Sequence, residues 1–186
     1  GKTELAKTLA REMYHDEKAL IKLDMSEFAE QHGISKLLGS PAGYVGHKER
    51  NRFADNIRKR PYSVVLFDEI DKAHPDVTKL LLQILDEGTL TDSAGSKSYF
   101  NHATVILTTN LGAELFKSHG IGFDKITKQN KHHATKELKS AVHNLLKDEI
   151  GSALMGRLSD ICLFSPLETV HVEDIIKLKI DQINQR

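Results

Sequence analysis

The run Val64-Val65-Leu66-Phe67-Asp68-Glu69 constrains this chain more than any other stretch. Four consecutive apolar residues lack the alternation of a half-exposed strand, so the run reads as a strand buried on both faces of a parallel sheet. The expected architecture is therefore α/β, with a parallel sheet between helical layers. In open sheets of this class ligands bind at the carboxyl ends of the strands. Asp68 and Glu69 leave the core at that place. One carboxylate of such a pair can hold a divalent cation, and its neighbour can orient an attacking water. A solvated acidic turn is the plainer alternative for the pair taken alone.

The opening residues favour the chemical reading. Gly1-Lys2-Thr3-Glu4-Leu5-Ala6-Lys7 resembles the tail of a phosphate-binding loop, whose glycine-rich turn normally precedes Gly-Lys-Ser/Thr. Lys2 is expected to reach β- and γ-phosphates, and the Thr3 hydroxyl to complete Mg²⁺ coordination. The amides of Gly1 to Glu4 are expected to face phosphate oxygens at a helix N-terminus. A Gly-Lys-Thr alone is common; followed by an apolar run that ends in Asp-Glu, it signals a P-loop NTPase. The expected fold is a three-layer P-loop module whose first strand, upstream of Gly1, is missing.

With 186 residues, the chain can bury one core of ordinary size. Lys plus Arg and Asp plus Glu each total 26, so no global field draws nucleic acid or an anionic membrane, and neither is expected as a partner. The single cysteine, Cys162, excludes an internal disulfide and fits a reducing compartment, the cytoplasm or an organelle matrix. No apolar run approaches the ~20 residues of a membrane span.

Around the central run, periodicity predicts a helix over 4–14, a strand over 20–24, and a short helix or turn after Asp24 capped by Ser26. A short helix over 32–38 and a basic helix over 50–60 follow. A helix opens at Pro75 with Val77, Leu80, Leu81, Ile84 and Leu85 inward, and stops at Gly88. Residues 89–100 read as a hairpin, 104–110 as a second buried strand, and 111–119 as a short helix. Next come a helix over 133–150, with Leu138, Ala141, Val142, Leu145 and Leu146 on one face, a strand over 159–164 and an amphipathic helix over 170–183. Asn110, ending its strand level with Asp68 and Glu69, either bonds a γ-phosphate or caps the next helix. The glycine-flanked Tyr44 and Val45 form either a surface turn or a grip on another chain. Ile121, Gly122 and Phe123 either tuck onto the core or dock in a partner's pocket. Arg157, beside an apolar run, needs a local carboxylate or a phosphate in a neighbouring subunit. The histidine pair His132-His133 and His143 lack ligand-spaced partners and read as solvated.

Taken together, these motifs resemble the Clp class of AAA+ protein unfoldases. The resemblance rests on the opening Gly-Lys-Thr, Asp24-Met25-Ser26-Glu27-Phe28, Gly43-Tyr44-Val45-Gly46, the Asp68-to-Val77 block, Leu90-Thr91-Asp92 and Thr108-Thr109-Asn110-Leu111-Gly112. It covers nearly the whole chain in order, and matches the second or only ATPase module of the class. It implies a large nucleotide-binding subdomain over 1–168 and the start of a C-terminal lid or linker helix over 169–186. It implies ATP and Mg²⁺ as ligands, with Gly1, Lys2, Thr3 and Glu4 at the nucleotide and Thr3 and Asp68 at the metal. Glu69 is then the water-activating base, Asn110 the first sensor, and Arg157 a finger acting in trans. Tyr44 and Val45 become pore-loop residues that push on polypeptide. Implied too are a hexameric ring that unfolds and threads unfolded or aggregated proteins, and a ClpP-type peptidase docked through Ile121, Gly122 and Phe123. A stand-alone disaggregase is the alternative to peptidase coupling; a nucleic-acid-directed motor and a silent scaffold are more distant ones. The chain alone is expected to be inactive. It departs from the class after Gly46, where the class usually has a glycine pair and this chain has His47-Lys48-Glu49-Arg50-Asn51-Arg52, and over Gly151 to Gly156, ahead of Arg157.

Overall fold

The computed structural model describes residues 1–30, 33–39, 52–118, 128–167 and 169–184. Helix α1 (Lys2–Tyr14) leads through a 3₁₀ turn to strand β1 (Leu20–Asp24). Helices α2 (Gly33–Leu38) and α3 (Arg52–Lys59) precede β2 (Val64–Asp68), the expected central strand. Helix α4 (Pro75–Glu87) runs into a hairpin, β3 (Thr89–Thr91) and β4 (Lys97–Tyr99), and then β5 (Thr104–Leu107). The chain continues through α5 (Ala113–Ser118), α6 (Lys128–Met155) and α7 (Thr169–Asn184).

Strands β1, β2 and β5 form a parallel sheet in the order β1-β2-β5. All five residues of β2 are buried, as an uninterrupted apolar run in a central strand requires. Its two faces serve different layers. Val64 and Leu66 pack on Ala6 and Ala10 of α1, whose small side chains let the helix lie close to the sheet. Val65 and Phe67 pack on Phe53 and Ile57 of α3 and on Val77, Leu81 and Ile84 of α4. Phe53 meets Phe67 edge to face at 6.0 Å. The result is the expected three-layer α/β sandwich. Among the described residues no helix is long and apolar enough to cross a membrane.

Local chemistry sets the ends of α4. Pro75 takes the first turn, the His74 ring accepts the Asp76 amide at 3.2 Å, and Gly88 closes the helix at φ 63°. The hairpin turn is held by Asp92, whose Oδ1 accepts the amides of Ala94 and Ser96 at 3.1 and 2.8 Å.

The structure corrects four expectations. Ser26 is not the cap of its turn: the Asp24 carboxylate accepts both the Ser26 amide, at 3.0 Å, and its hydroxyl. Strand β5 ends at Leu107 and is half-buried throughout, because it pairs only with β2 and lies at the edge of the described sheet. Residues 159–164 form no strand. Ile161 and Leu163 turn onto Leu138, Val142 and Leu146, while Cys162 is exposed and the partly exposed Phe164 ring lies beside Gly1, so the segment alternates like a strand without being one. On α6, Leu145 is exposed and Ile150 and Leu154 join the buried face instead. Gly151, at φ 83°, breaks that helix where the sequence places its end.

Phe67 is 1% exposed and contacts both aromatic and aliphatic neighbours of the α3–α4 layer. Phe67→Ala is expected to destabilise the chain by about 3–5 kcal/mol, read as a lowered urea midpoint with an unchanged slope.

Candidate functional site

The sheet register brings the predicted residues to one edge. Asp24 pairs with Asp68 and Phe67 with Leu107, so Asp68, Glu69 and the segment Thr108–Asn110 leave the sheet together at its carboxyl end. Two backbone bonds continue the zipper beyond the strands: Thr108 N donates to Phe67 O at 3.0 Å and Ile70 N to Thr108 O at 2.9 Å. Packing of α1 on β2 delivers the Gly1 end of that helix to the same edge.

Asp68 is the hub. Its carboxylate accepts the Thr108 hydroxyl on Oδ1, the Thr3 hydroxyl at 3.2 Å on Oδ2, and the Lys22 ammonium at 2.6 Å on Oδ2. Burial pushes this carboxyl up, but the bonds from Lys22, Thr108 and Thr3 and the lysine charge outweigh it and hold it below the ordinary value of 3.8. Lys2 donates to Thr109 O at 2.7 Å and to the Asn110 side-chain oxygen. Asn110 in turn donates to Glu69 Oε1 at 3.2 Å. Lys72 holds Glu69 Oε2 at 2.5 Å, and the Glu69 backbone sits in the left-handed region at φ 59°, ψ 52°. Its amide is fixed there by Thr108 Oγ1 at 3.1 Å. Asp71 Oδ1 accepts Thr109 Oγ1 at 2.7 Å and the Asn110 amide at 3.3 Å, so it ties the two segments from below.

Thus Lys2, Thr3, Asp68, Glu69 and Asn110 converge. Gly1 caps α1 without a side chain, which leaves the first-turn amides open, and Glu4 points to solvent near Lys7. Arg157 lies elsewhere: its half-exposed side chain pairs with Asp86 of α4. Tyr44, Val45, Ile121, Gly122 and Phe123 fall outside the described residues. Sequence reasoning overlooked Lys22, Lys72, Asp71 and Thr108. Lys22 had a readable signal, since a strand residue two before Asp24 shares its face.

The donor set fits Mg²⁺. A hydroxyl and an ionised carboxylate 3.2 Å apart are hard oxygen ligands, and Mg²⁺ takes one or two protein groups together with substrate phosphates. Among the described residues no group of three or more His, Cys, Asp or Glu is placed to hold a metal by protein alone.

A depressed folded-state pKa makes Asp68 stabilising above its unfolded value, and that contribution is lost as pH falls through the folded value. Stability measured by urea midpoint from about pH 2 to about pH 5 is therefore expected to rise less steeply in Asp68→Asn than in the wild type. Equal slopes would show that the carboxylate is not held by its donors.

Residues 1–161 match the family model described as AAA domain (Cdc48 subfamily). The chain is 42% identical over 185 residues to "Probable chaperone protein ClpB 1" of Chlorobaculum tepidum, covering 100% of itself and 42% of that relative. It is 43% identical over 187 residues to "Negative regulator of genetic competence ClpC/MecB" of Bacillus subtilis, covering 100% of itself and 23% of that protein. Its fold superposes with a TM-score of 0.82 and 36% identity on a closed-state reconstruction of Hsp104 with ATPγS and FITC casein, over 100% of this chain and 30% of that one. The chain thus spans under half the length of these relatives, and matches both ClpB- and ClpC-named ones along its whole length. With its buried central strand, its helix-end Gly-Lys-Thr and its carboxylates at one sheet edge, the chain belongs to the AAA domain (Cdc48 subfamily) family, as a Clp-type AAA+ chain.

Proposed function

We propose that residues 1–168 are the nucleotide-hydrolysing subdomain of an ATP-driven protein-remodelling ring, and that 169–186 begin its lid or linker. The observation that carries this reading is the meeting of Lys2 and Thr3 with Asp68, Glu69 and Asn110 at one sheet edge. Those are the parts phosphoryl transfer to water requires: a cation and open amides for phosphate oxygens, a hydroxyl–carboxylate pair for a metal, and a carboxylate with a polar neighbour for the nucleophile.

In this reading Lys2 exchanges Thr109 O and Asn110 Oδ1 for β- and γ-phosphate oxygens, and the amides of Gly1 to Glu4 donate to the same groups. Thr3 and Asp68 hold Mg²⁺, which when bound neutralises charge on the phosphates. Asn110 turns its amide to the γ-phosphate or to the attacking water. Glu69 orients that water and takes up its proton, which requires its carboxylate to be free of Lys72. Arg157, satisfied by Asp86 in the single chain, exchanges that carboxylate for a phosphate of the neighbouring subunit in a hexamer. Tyr44 and Val45 press on the polypeptide in the ring's channel. Polypeptide as substrate is supported by the chaperone names of the relatives and by the casein in the Hsp104 reconstruction. The basic residues Lys48, Arg50 and Arg52 after Gly46 give a nucleic-acid-directed motor its only support, and the chaperone relatives favour protein instead.

In the full-length protein, Glu69→Gln is expected to lower ATP turnover by about 10²-fold or more, while binding of a fluorescent ATP analogue persists. Turnover equal to wild type would remove Glu69 as the base. A wild type that neither binds nor hydrolyses ATP would favour a silent scaffold.

Peptidase coupling is a second reading, carried by Ile121-Gly122-Phe123 and by similarity to a ClpC-named relative. Substituting Ile121 and Phe123 by Ala in the full-length protein is expected to abolish stimulation of a ClpP-type peptidase and to spare ATP hydrolysis. Unchanged stimulation would leave the stand-alone disaggregase.

A further inference from the structure

The Asp68 carboxylate already has a cation. Lys22 Nζ lies 2.6 Å from Oδ2, the oxygen that also faces the Thr3 hydroxyl. Two features of the fold put it there. Strands β1 and β2 pair in register, so Asp24 and Asp68 stand side by side at the strand ends. Lys22 lies two residues before Asp24, on the same face of β1, and its side chain reaches forward across to the neighbouring strand. It emerges at the exposed position of β1, and its side chain keeps 40% of its accessibility, so water and ions reach the pair. Asp24 Oδ1 accepts the amide and hydroxyl of Ser26, while the Lys22 ammonium sits at contact distance on Asp68.

An ammonium and a divalent cation repel, so holding both at contact distance on one carboxylate oxygen is unfavourable and each weakens the other's hold on it. Resting on the nucleotide-site reading above, we propose that Lys22 is a built-in counter-cation. It occupies Asp68 when no metal is present, keeps the carboxylate turned towards Thr3, and yields Oδ2 when Mg²⁺ arrives with nucleotide. Lys22 is then a positioning residue. It sets how much Mg²⁺ the site demands, and it protects the metal-free fold from a buried, unpaired charge.

The experiment uses the full-length protein, with wild type compared to Lys22→Met, which keeps the aliphatic stem and removes the charge, and to Lys22→Arg, which keeps the charge. Two quantities are read, neither of which needs turnover. The first is the Mg²⁺ concentration for half-maximal binding of a fluorescent ATP analogue. The second is Tm, with and without saturating Mg²⁺ and nucleotide. Lys22→Met is expected to lower the half-saturating Mg²⁺ concentration roughly 5-fold or more. It is expected to lower Tm in the metal-free protein, and that loss is expected to vanish at saturating Mg²⁺ and nucleotide. Lys22→Arg is expected to keep the Mg²⁺ demand at or above wild type. An unchanged or raised Mg²⁺ demand in Lys22→Met would overturn the proposal, as would a Tm loss that persists undiminished in the loaded protein, since Lys22 and metal would then not exchange. A lowered demand in Lys22→Arg would overturn it also. A wild type that binds the analogue with no dependence on Mg²⁺, or not at all, would instead bring down the nucleotide-site reading, and this proposal with it.

Discussion

A carboxylate that is 8% exposed at residue level must either neutralise or be surrounded by donors, and Asp68 takes the second course. Its three donors come from three separate elements: Thr3 from α1, Lys22 from β1, and Thr108 from the segment after β5. Hydrophobic burial of β2 supplies the free energy that collapses those elements on one another, but it is non-directional. The charge supplies direction. A one-residue slip of β1 against β2 would turn Lys22 to the opposite face and send Ile21 out of the core, so core and carboxylate select the same register.

This division of labour runs the length of the sheet. At the amino ends of the strands the contacts close the structure: Tyr62 stacks on His102 at 4.7 Å, and the Tyr14 hydroxyl bonds to the His102 carbonyl. At the carboxyl ends nearly every polar group bonds to another element. Glu69 alone draws on Thr108, Asn110 and Lys72. The layers between are apolar, so a change at the reacting edge is felt by the core chiefly through Asp68. Asp71 strengthens that edge by fastening Thr109 and Asn110 to the turn that follows β2. The Arg157–Asp86 pair sits on α4 beyond this network, which suits a residue whose proposed work lies in another subunit.

The sequence made the architecture legible where one physical signal dominated. An unbroken apolar run identified β2, proline and glycine bracketed α4, and the turn Asp92-Ser93-Ala94-Gly95 between short extended arms identified the hairpin. The gathering of Lys2, Thr3, Asp68, Glu69 and Asn110 was legible because strand ends in a parallel sheet share one edge. What was not legible depended on partners across the fold. The run at 159–164 has the composition of a strand, yet a strand exists only through a neighbour's backbone, which no local pattern reports. Ser26 and Asp24 both suit a cap, and the outcome turned on where β1 stops, which puts Asp24 at the cap position with its carboxylate on the Ser26 amide. For Lys22 the sequence reports only the face it shares with Asp24; its contact with Asp68 follows from the register between β1 and β2. Roles for Tyr44, Val45, Ile121, Gly122 and Phe123 came from resemblance, and they lie outside the described residues.

Glu69 carries a different lesson. The left-handed backbone it adopts suits glycine or asparagine, and a side chain with a Cβ and a long polar arm is held there at a cost of order 1–3 kcal/mol. Its half-exposed side chain fills no part of the core, so packing gives no reason to keep glutamate at that position. Glycine or asparagine at that position would relax the turn. The turn is thus a spot where the fold carries strain while it holds a carboxylate between Asn110 and Lys72.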